Sequence, residues 1–254
     1  MDFRPDLDLA LELADLADGV TVPRFRASDL VVENKPDMTP VSEADRAAEE
    51  AIRERLAADR PDDAVCGEEY GETPGGGRRW IIDPIDGTKN YVRGIPVWAT
   101  LIALEVRSEI VVGVVSAPAI AHRWWGAAGL GAYRNGDEIT VSAVGSLADA
   151  QLSYNAWRAA DEVGLGSRMR ELERSCWRVR GFGDFLSHML VAEGAADLSV
   201  EPIAEVWDLA PLKVIVEEAG GRLTSLEGDA RIDGGSALAS NGLLHEAALE
   251  IISG

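Results

Sequence analysis

The segment Trp80-Ile81-Ile82-Asp83-Pro84-Ile85-Asp86-Gly87-Thr88 constrains this chain more than any other. Its short apolar run reads as a buried strand that delivers Asp83 at its end. Pro84 lacks an amide donor and forces an extended turn. Asp86 returns three residues after Asp83, Gly87 relaxes the backbone, and Thr88 can open a helix with Lys89-Asn90 in its first turn. Two carboxylates on one tight turn can share hard cations, and free amides at a helix start can cradle a phosphate. The plainer alternative is an ordinary Asp-rich turn with a cap, and it weakens once the neighbouring segments are counted.

Those neighbours belong to a pattern of mixed helices and strands. Residues 6–18 carry Leu9, Leu13, Leu16 and Ala17 at helical spacing, and residues 31–37 read as a strand entering a turn. Ser42 can cap a helix that runs to about Asp59, with Asp45 completing a capping box and Pro61 stopping it. Strands are expected at 64–67, 80–83, 97–106, 110–117, 122–127 and 132–136, the last ending on an Asn-Gly hairpin turn. In the second half, helices are expected at 162–173, 184–193, 208–219 and 245–251. Strands are expected there at 178–181, 198–201, 222–223 and 237–240. No linker marks a boundary, so the expectation is a single domain over residues 1–254.

Composition narrows the functional classes. The 254 residues are 46% hydrophobic and 27% charged, enough to bury a substantial core. The net charge of −20 disfavours nucleic acid and anionic membranes as partners. No apolar run is long enough to span a bilayer, and the first residues lack signal-peptide order, so a cytoplasmic protein is expected. Cys66 and Cys176 read as free thiols, and His122, His188 and His245 have no zinc-ligand spacing, so any metal is expected on oxygen ligands. There is no phosphate-binding GxxxxGK[ST] run, no dinucleotide fingerprint and no calcium loop.

Two further acidic segments stand out: Gly67-Glu68-Glu69 after a short apolar run, and Trp207-Asp208 where a helix begins. Taken alone, the first reads as an exposed turn and the second as a helix cap. Together with Ser42-Glu43-Ala44-Asp45, Asp83-Pro84-Ile85-Asp86-Gly87-Thr88 and Glu217-Glu218-Ala219-Gly220-Gly221, they resemble the inositol monophosphatase family in order and spacing across nearly the whole chain. The resemblance implies an α/β layered sandwich of alternating αβαβα layers, usually a homodimer, using two or three Mg2+ ions, with Mn2+ an alternative. It implies that Glu68, Asp83 and the carbonyl of Ile85 hold one metal, and that Asp83, Asp86 and Asp208 hold a second. Asp45 and Thr88 match positions that hold or activate the attacking water, with a third metal sometimes bound near Glu68. Gly87 and Thr88 match donors to the phosphate.

The leaving-group side is expected from Arg180 to Phe185 and from Glu201, where Asp184 and Glu201 offer acids beyond the metals. A cationic leaving group suits two acids better than a neutral polyol. Residues 87–100 resemble the histidinol-phosphate phosphatase branch of the superfamily, which implies L-histidinol phosphate as substrate. Asn241 is a weaker pocket candidate, and residues 35–40 are positioned in sequence to form a lid. Rival expectations are inositol or fructose phosphates as substrates, an aspartyl-phosphate phosphatase using Asp6-Leu7-Asp8, and a catalytically silent metal-binding regulator. The aspartyl chemistry needs its Asp at the end of a buried strand, which Asp6 lacks.

Overall fold

The computed structural model describes residues 1–36 and 38–254. The chain opens with α1 (Arg4–Arg24), then β1 (Val32–Asn34), β2 (Pro40–Ser42) and α2 (Glu43–Asp59). Next come β3 (Ala64–Gly67), β4 (Gly71–Thr73), β5 (Arg78–Asp86) and the short α3 (Thr88–Val92). A meander follows: β6 (Ala99–Val106), β7 (Glu109–Ala117), β8 (His122–Ala127), β9 (Gly131–Arg134) and β10 (Asp137–Glu138). The second half holds β11 (Gln151–Tyr154), α4 (Trp157–Glu162), α5 (Gly166–Ser175), β12 (Arg178–Arg180) and α6 (Asp184–Ala192). It closes with β13 (Leu198–Glu201), α7 (Val206–Glu218), β14 (Arg222–Thr224), β15 (Ala237–Ser240) and α8 (His245–Ser253).

Among the described residues the strands form an eight-stranded sheet, ordered β10-β9-β8-β7-β6-β5-β3-β4, and a five-stranded sheet, ordered β12-β11-β13-β15-β14. β1 and β2 pair as a separate ribbon. Three apolar layers bind these elements into the expected αβαβα order. Leu9, Leu13 and Ala17 of α1 and Ile52 and Leu56 of α2 bury against Trp80, Ile82, Ile102 and Leu104 on one face of the large sheet. On the other face, Leu101, Val115 and Trp124 meet Phe185 and Met189 of α6 and Leu212 and Ile215 of α7. That layer reaches Leu223, Ala237 and Ala239 of the small sheet. The far face of the small sheet, Leu152, Leu198, Val200 and Leu238, packs on Met169 and Leu172 of α5 and Leu249 and Ile252 of α8. Strands covered on both faces read as unbroken apolar runs, which is why 99–106 and 109–117 lack strict alternation.

Local expectations hold in most places. Ser42 and Asp45 form the capping box of α2, and Asn135 and Gly136 both adopt positive φ in the β9–β10 hairpin turn. One helix differs: the helix expected over 162–173 begins only at Gly166, because Glu162 ends α4 and Gly164 takes φ +79° before α5 starts. Of the strand and turn expected over 31–37, Val32–Asn34 is a strand, and Asp37 lies outside the described residues. Cys66 is a buried free thiol and Cys176 a half-buried one.

His245 fastens α8 to the small sheet and gives the fold a pH dependence. The Thr224 hydroxyl donates to the Ser225 carbonyl at 2.8 Å, so it accepts from His245 Nε2 at 2.9 Å. Ser240 Oγ then donates to Nδ1 at 2.8 Å, which fixes a neutral imidazole. Burial, helped by the nearby Arg222 charge, lowers His245 from 6.5 to about 4. The unfolded chain therefore takes up a proton that the folded chain refuses, and stability rises with pH in this interval. The contribution is complete above pH 6.5 and is lost as pH falls toward about 4, a loss of about 3 kcal/mol. Urea titrations across that interval should show a flatter pH dependence for His245→Asn than for the parent. Equal slopes would assign the effect to other groups.

Candidate active site

β5 runs through the middle of the large sheet and breaks its own ladder at the motif. Its register with β6 shifts between Asp83 and Asp86, where Pro84 offers no amide to pair. The Pro84 carbonyl accepts instead from Thr100 Oγ1 at 2.8 Å, and Asp83 Oδ1 accepts the Ile85 amide at 2.9 Å. This turn faces both carboxylates toward the start of α7. Oxygens of Asp83, Asp86 and Asp208 lie within 4.8 Å of one another.

Each acid is held by neutral donors. Asp86 Oδ2 accepts the Phe185 amide at the start of α6 at 2.7 Å, and Asp208 Oδ2 accepts the Glu205 amide at 2.8 Å. Asp208 is thus the third residue of α7 and completes a capping box with Glu205, rather than opening the helix as the sequence indicated. Among the described residues, no Lys or Arg lies within ion-pair distance of Asp83, Asp86, Asp184, Glu201 or Asp208. Burial followed by the Glu68, Asp86 and Asp208 charges raises Asp83 well above the ordinary carboxylate range. Asp86 is raised likewise by burial, then by Asp184 and Asp208. Burial, opposed by the Glu205 amide, pushes Asp208 up to about 7. Converging, uncompensated oxygen donors of this kind fit a hard divalent cation, and they contain no thiolate or imidazole that would favour zinc.

Beside the cluster, Thr88 Oγ1 lies 3.0 Å from the Ile85 carbonyl and 3.2 Å from Asp45 Oδ1. Asp45 is fully buried, accepts from the Ser42 amide and hydroxyl at 2.8 and 2.5 Å, and is pushed up to about 6 chiefly by burial. Glu68 lies near enough to Asp83 for its charge to raise Asp83, while its Oε1 accepts from Lys35 Nζ at 2.7 Å. The same ammonium reaches Glu69 Oε1 at 2.6 Å. Lys35, just after β1, therefore ties the end of that strand to the acidic segment. Glu49 anchors that segment from below, accepting the Glu69 and Tyr70 amides at 2.8 and 3.2 Å.

On the opposite wall, Gly87 takes φ +82° at the start of α3, and a Cβ there would meet the Val97 carbonyl at 3.0 Å and Asp184 Oδ2 at 3.3 Å. Asp184 does not cap α6. It takes φ +48°, and its Oδ2 accepts from Asn90 Nδ2 at 2.9 Å. Burial and then Glu201 push it up to about 6. Glu201 Oε1 accepts from Asn155 Nδ2 at 2.7 Å, and Oε2 lies 3.0 Å from His188 Nε2. Arg180 is exposed on the edge strand β12, with its guanidinium on the Val179 carbonyl. Asn241 is committed elsewhere: its amide donates to Ser142 Oγ and the Val144 carbonyl, and its oxygen accepts the Leu244 amide. Asp6 lies inside α1 and pairs with Arg78 at 2.7 Å, which removes the aspartyl-nucleophile alternative. Sequence reasoning missed Lys35, Glu49, Asn90, Asn155 and His188. The Asp45/Glu49 and Asp184/His188 spacings of four on one helix face were the available signal.

The inositol monophosphatase family model matches residues 4–253. The chain belongs to the inositol monophosphatase family. It is 54% identical over 250 residues to the histidinol-phosphatase of Mycobacterium tuberculosis, covering 96% of each chain. It is 51% identical over 254 residues to the histidinol-phosphatase of Streptomyces coelicolor, again covering 96% of each. The solved inositol monophosphatase of Zymomonas mobilis superposes with a TM-score of 0.89 at 32% identity, covering 100% of this chain and 99% of that one.

Proposed function

We propose that this chain is a Mg2+-dependent phosphomonoesterase that hydrolyses L-histidinol phosphate to L-histidinol and phosphate in histidine biosynthesis. The observation that carries the chemistry is the convergence of Asp83, Asp86 and Asp208 within 4.8 Å, with no lysine or arginine among the described residues to neutralise them. The substrate is supported by identities of 54% and 51% to proteins named histidinol-phosphatase.

In this reading Glu68, Asp83, Asp86, Asp208 and the Ile85 carbonyl hold two or three divalent ions, with Mn2+ able to replace Mg2+. When bound, the metal supplies the positive charge that a phosphate dianion and its transition state require. The remaining work belongs to the chain. Thr88 Oγ1 has one hydrogen and two acceptors within reach, Ile85 O and Asp45 Oδ1. A water proton accepted by Thr88 can therefore pass on to Asp45, which makes this pair the general base. Gly87 and Thr88 orient the phosphate at the start of α3, where backbone amides have no acceptor within the helix. Asp184 and Glu201 face the leaving group, and Arg180 is assigned a rim role. The same reading takes residues 1–254 as one catalytic domain, assembled as a homodimer in the cytoplasm. Among the described residues no helix is long and apolar enough to cross a membrane.

The test is a substrate panel in Mg2+. Turnover of L-histidinol phosphate is expected to exceed that of inositol 1-phosphate and fructose 1,6-bisphosphate by about tenfold or more, since unpaired buried acids discriminate strongly against a neutral leaving group. The reverse order would transfer the assignment to the sugar and polyol phosphates.

A further inference from the structure

We infer that His188 and Asn155 form a two-armed clamp on Glu201 that sets the preference for a cationic leaving group; the inference rests on the substrate reading above. α6 carries Asp184 in its first turn and His188 four residues on, so both lie on the face turned to the end of β13, where Glu201 stands. His188 is wholly buried, and its Nε2 lies 3.0 Å from Glu201 Oε2. Asn155, just beyond β11, donates to the other oxygen at 2.7 Å.

The tautomer follows from what surrounds the ring. Glu201 can only accept when ionised, so Nε2 carries the hydrogen and donates. His188 Nδ1 is buried with no partner among the described residues. A bare lone pair there is cheaper than a buried unpaired N–H, which assigns a neutral imidazole. Both arms of the clamp are therefore uncharged. They fix the direction of the carboxylate without neutralising it, and each oxygen keeps a further lone pair for an incoming donor. A lysine or arginine in either position would hold Glu201 equally well and cancel the charge that an ammonium or imidazolium must meet. Asp184 adds a second acid hydrogen-bonded by an amide, Asn90 Nδ2 at 2.9 Å, with the Lys89 charge near it but outside ion-pair distance. Neither His188 nor Asn155 need touch the substrate, so both are positioning residues.

The deciding measurement is the ratio of kcat/KM for L-histidinol phosphate to kcat/KM for p-nitrophenyl phosphate, whose leaving group carries no cation. His188→Leu is expected to lower that ratio about tenfold, mainly through KM, the loss of one hydrogen bond to a charged group. His188→Gln restores a donor near the Nε2 position and should recover most of it. Asn155→Ala, at a half-buried position, should lower the ratio in the same direction and keeps the test alive if His188→Leu fails to fold. Proportional losses on both esters, or an unchanged ratio in Asn155→Ala, would reduce the pair to a structural contact and overturn the clamp. If the parent itself shows no preference for L-histidinol phosphate over the polyol phosphates, the substrate reading falls and takes the clamp with it. A parent that keeps the preference while the variants match it overturns the clamp alone.

Discussion

Asp83→Asn is expected to lose about a thousandfold or more of the turnover in Mg2+ while leaving the metal-free protein at least as stable as the parent. Asparagine keeps an oxygen where Oδ1 accepts the Ile85 amide at 2.9 Å, so the turn that presents the motif survives. What disappears is a buried negative charge that faces Glu68, Asp86 and Asp208. Removing one member of a crowded like-charge cluster relieves repulsion, which is the reason to expect no stability loss without metal. The same removal takes a charged ligand from both proposed metal positions, and charge stabilisation of this kind is worth several kcal/mol in the transition state. Two readouts separate these effects. Mg2+ should raise the melting temperature of the parent by binding only the folded form, and that rise should shrink in the variant. Near-parental turnover of Asp83→Asn in Mg2+ would remove the carboxylate cluster from the chemistry altogether.

The mixture of helices and strands and the Asp83–Thr88 turn were legible because they are written in short-range chemistry, whereas the layer order and the grouping of the acidic segments came from the family resemblance. The apolar run into Asp83-Pro84-Ile85-Asp86-Gly87-Thr88 specifies a strand, a turn and a helix start within one segment, and the structure builds β5, with a register shift between Asp83 and Asp86, and α3 from it. Ser42 and Asp45 announced α2 through a cap that satisfies its own amides. Legibility failed where the determinant lay between segments. The break at Gly164 is a positive-φ glycine inside a helix-forming composition, and the polar residues around it are common to helices and turns. Asp208 looked like a cap because the sequence does not say that Glu205, three residues earlier, takes that position. His188 and Asn155 are far apart in sequence and meet only through Glu201, so Asn155 carried no signal of its own and His188 only its spacing of four from Asp184. Asn241 misled for the opposite reason: a polar residue near a strand end resembles a pocket residue until its partners, Ser142, Val144 and Leu244, are seen.

Gly67→Ala is expected to cost about 2–4 kcal/mol of stability and to weaken the Mg2+ response, because no room exists for one methyl group. An ideal Cβ at this position would overlap Glu49 Oε1, and the rest of that carboxyl group lies almost as close. A flexible side chain would ordinarily swing aside. Glu49 has no such freedom: it is fully buried, takes the Arg53 Nε–H at 2.7 Å, and accepts the Glu69 and Tyr70 amides at 2.8 and 3.2 Å. Turning it away strands a buried charge and leaves two amides unpaired. Holding it in place instead pushes β3 and the Gly67-Glu68-Glu69 segment outward, and Glu68 then moves off Asp83. Either response disturbs both the fold and the acid cluster, so denaturant midpoint and Mg2+-induced thermal shift should fall together. A variant within about 0.5 kcal/mol of the parent, with its Mg2+ response intact, would mean that Glu49 rotates at little cost and that Glu68 is positioned by other contacts.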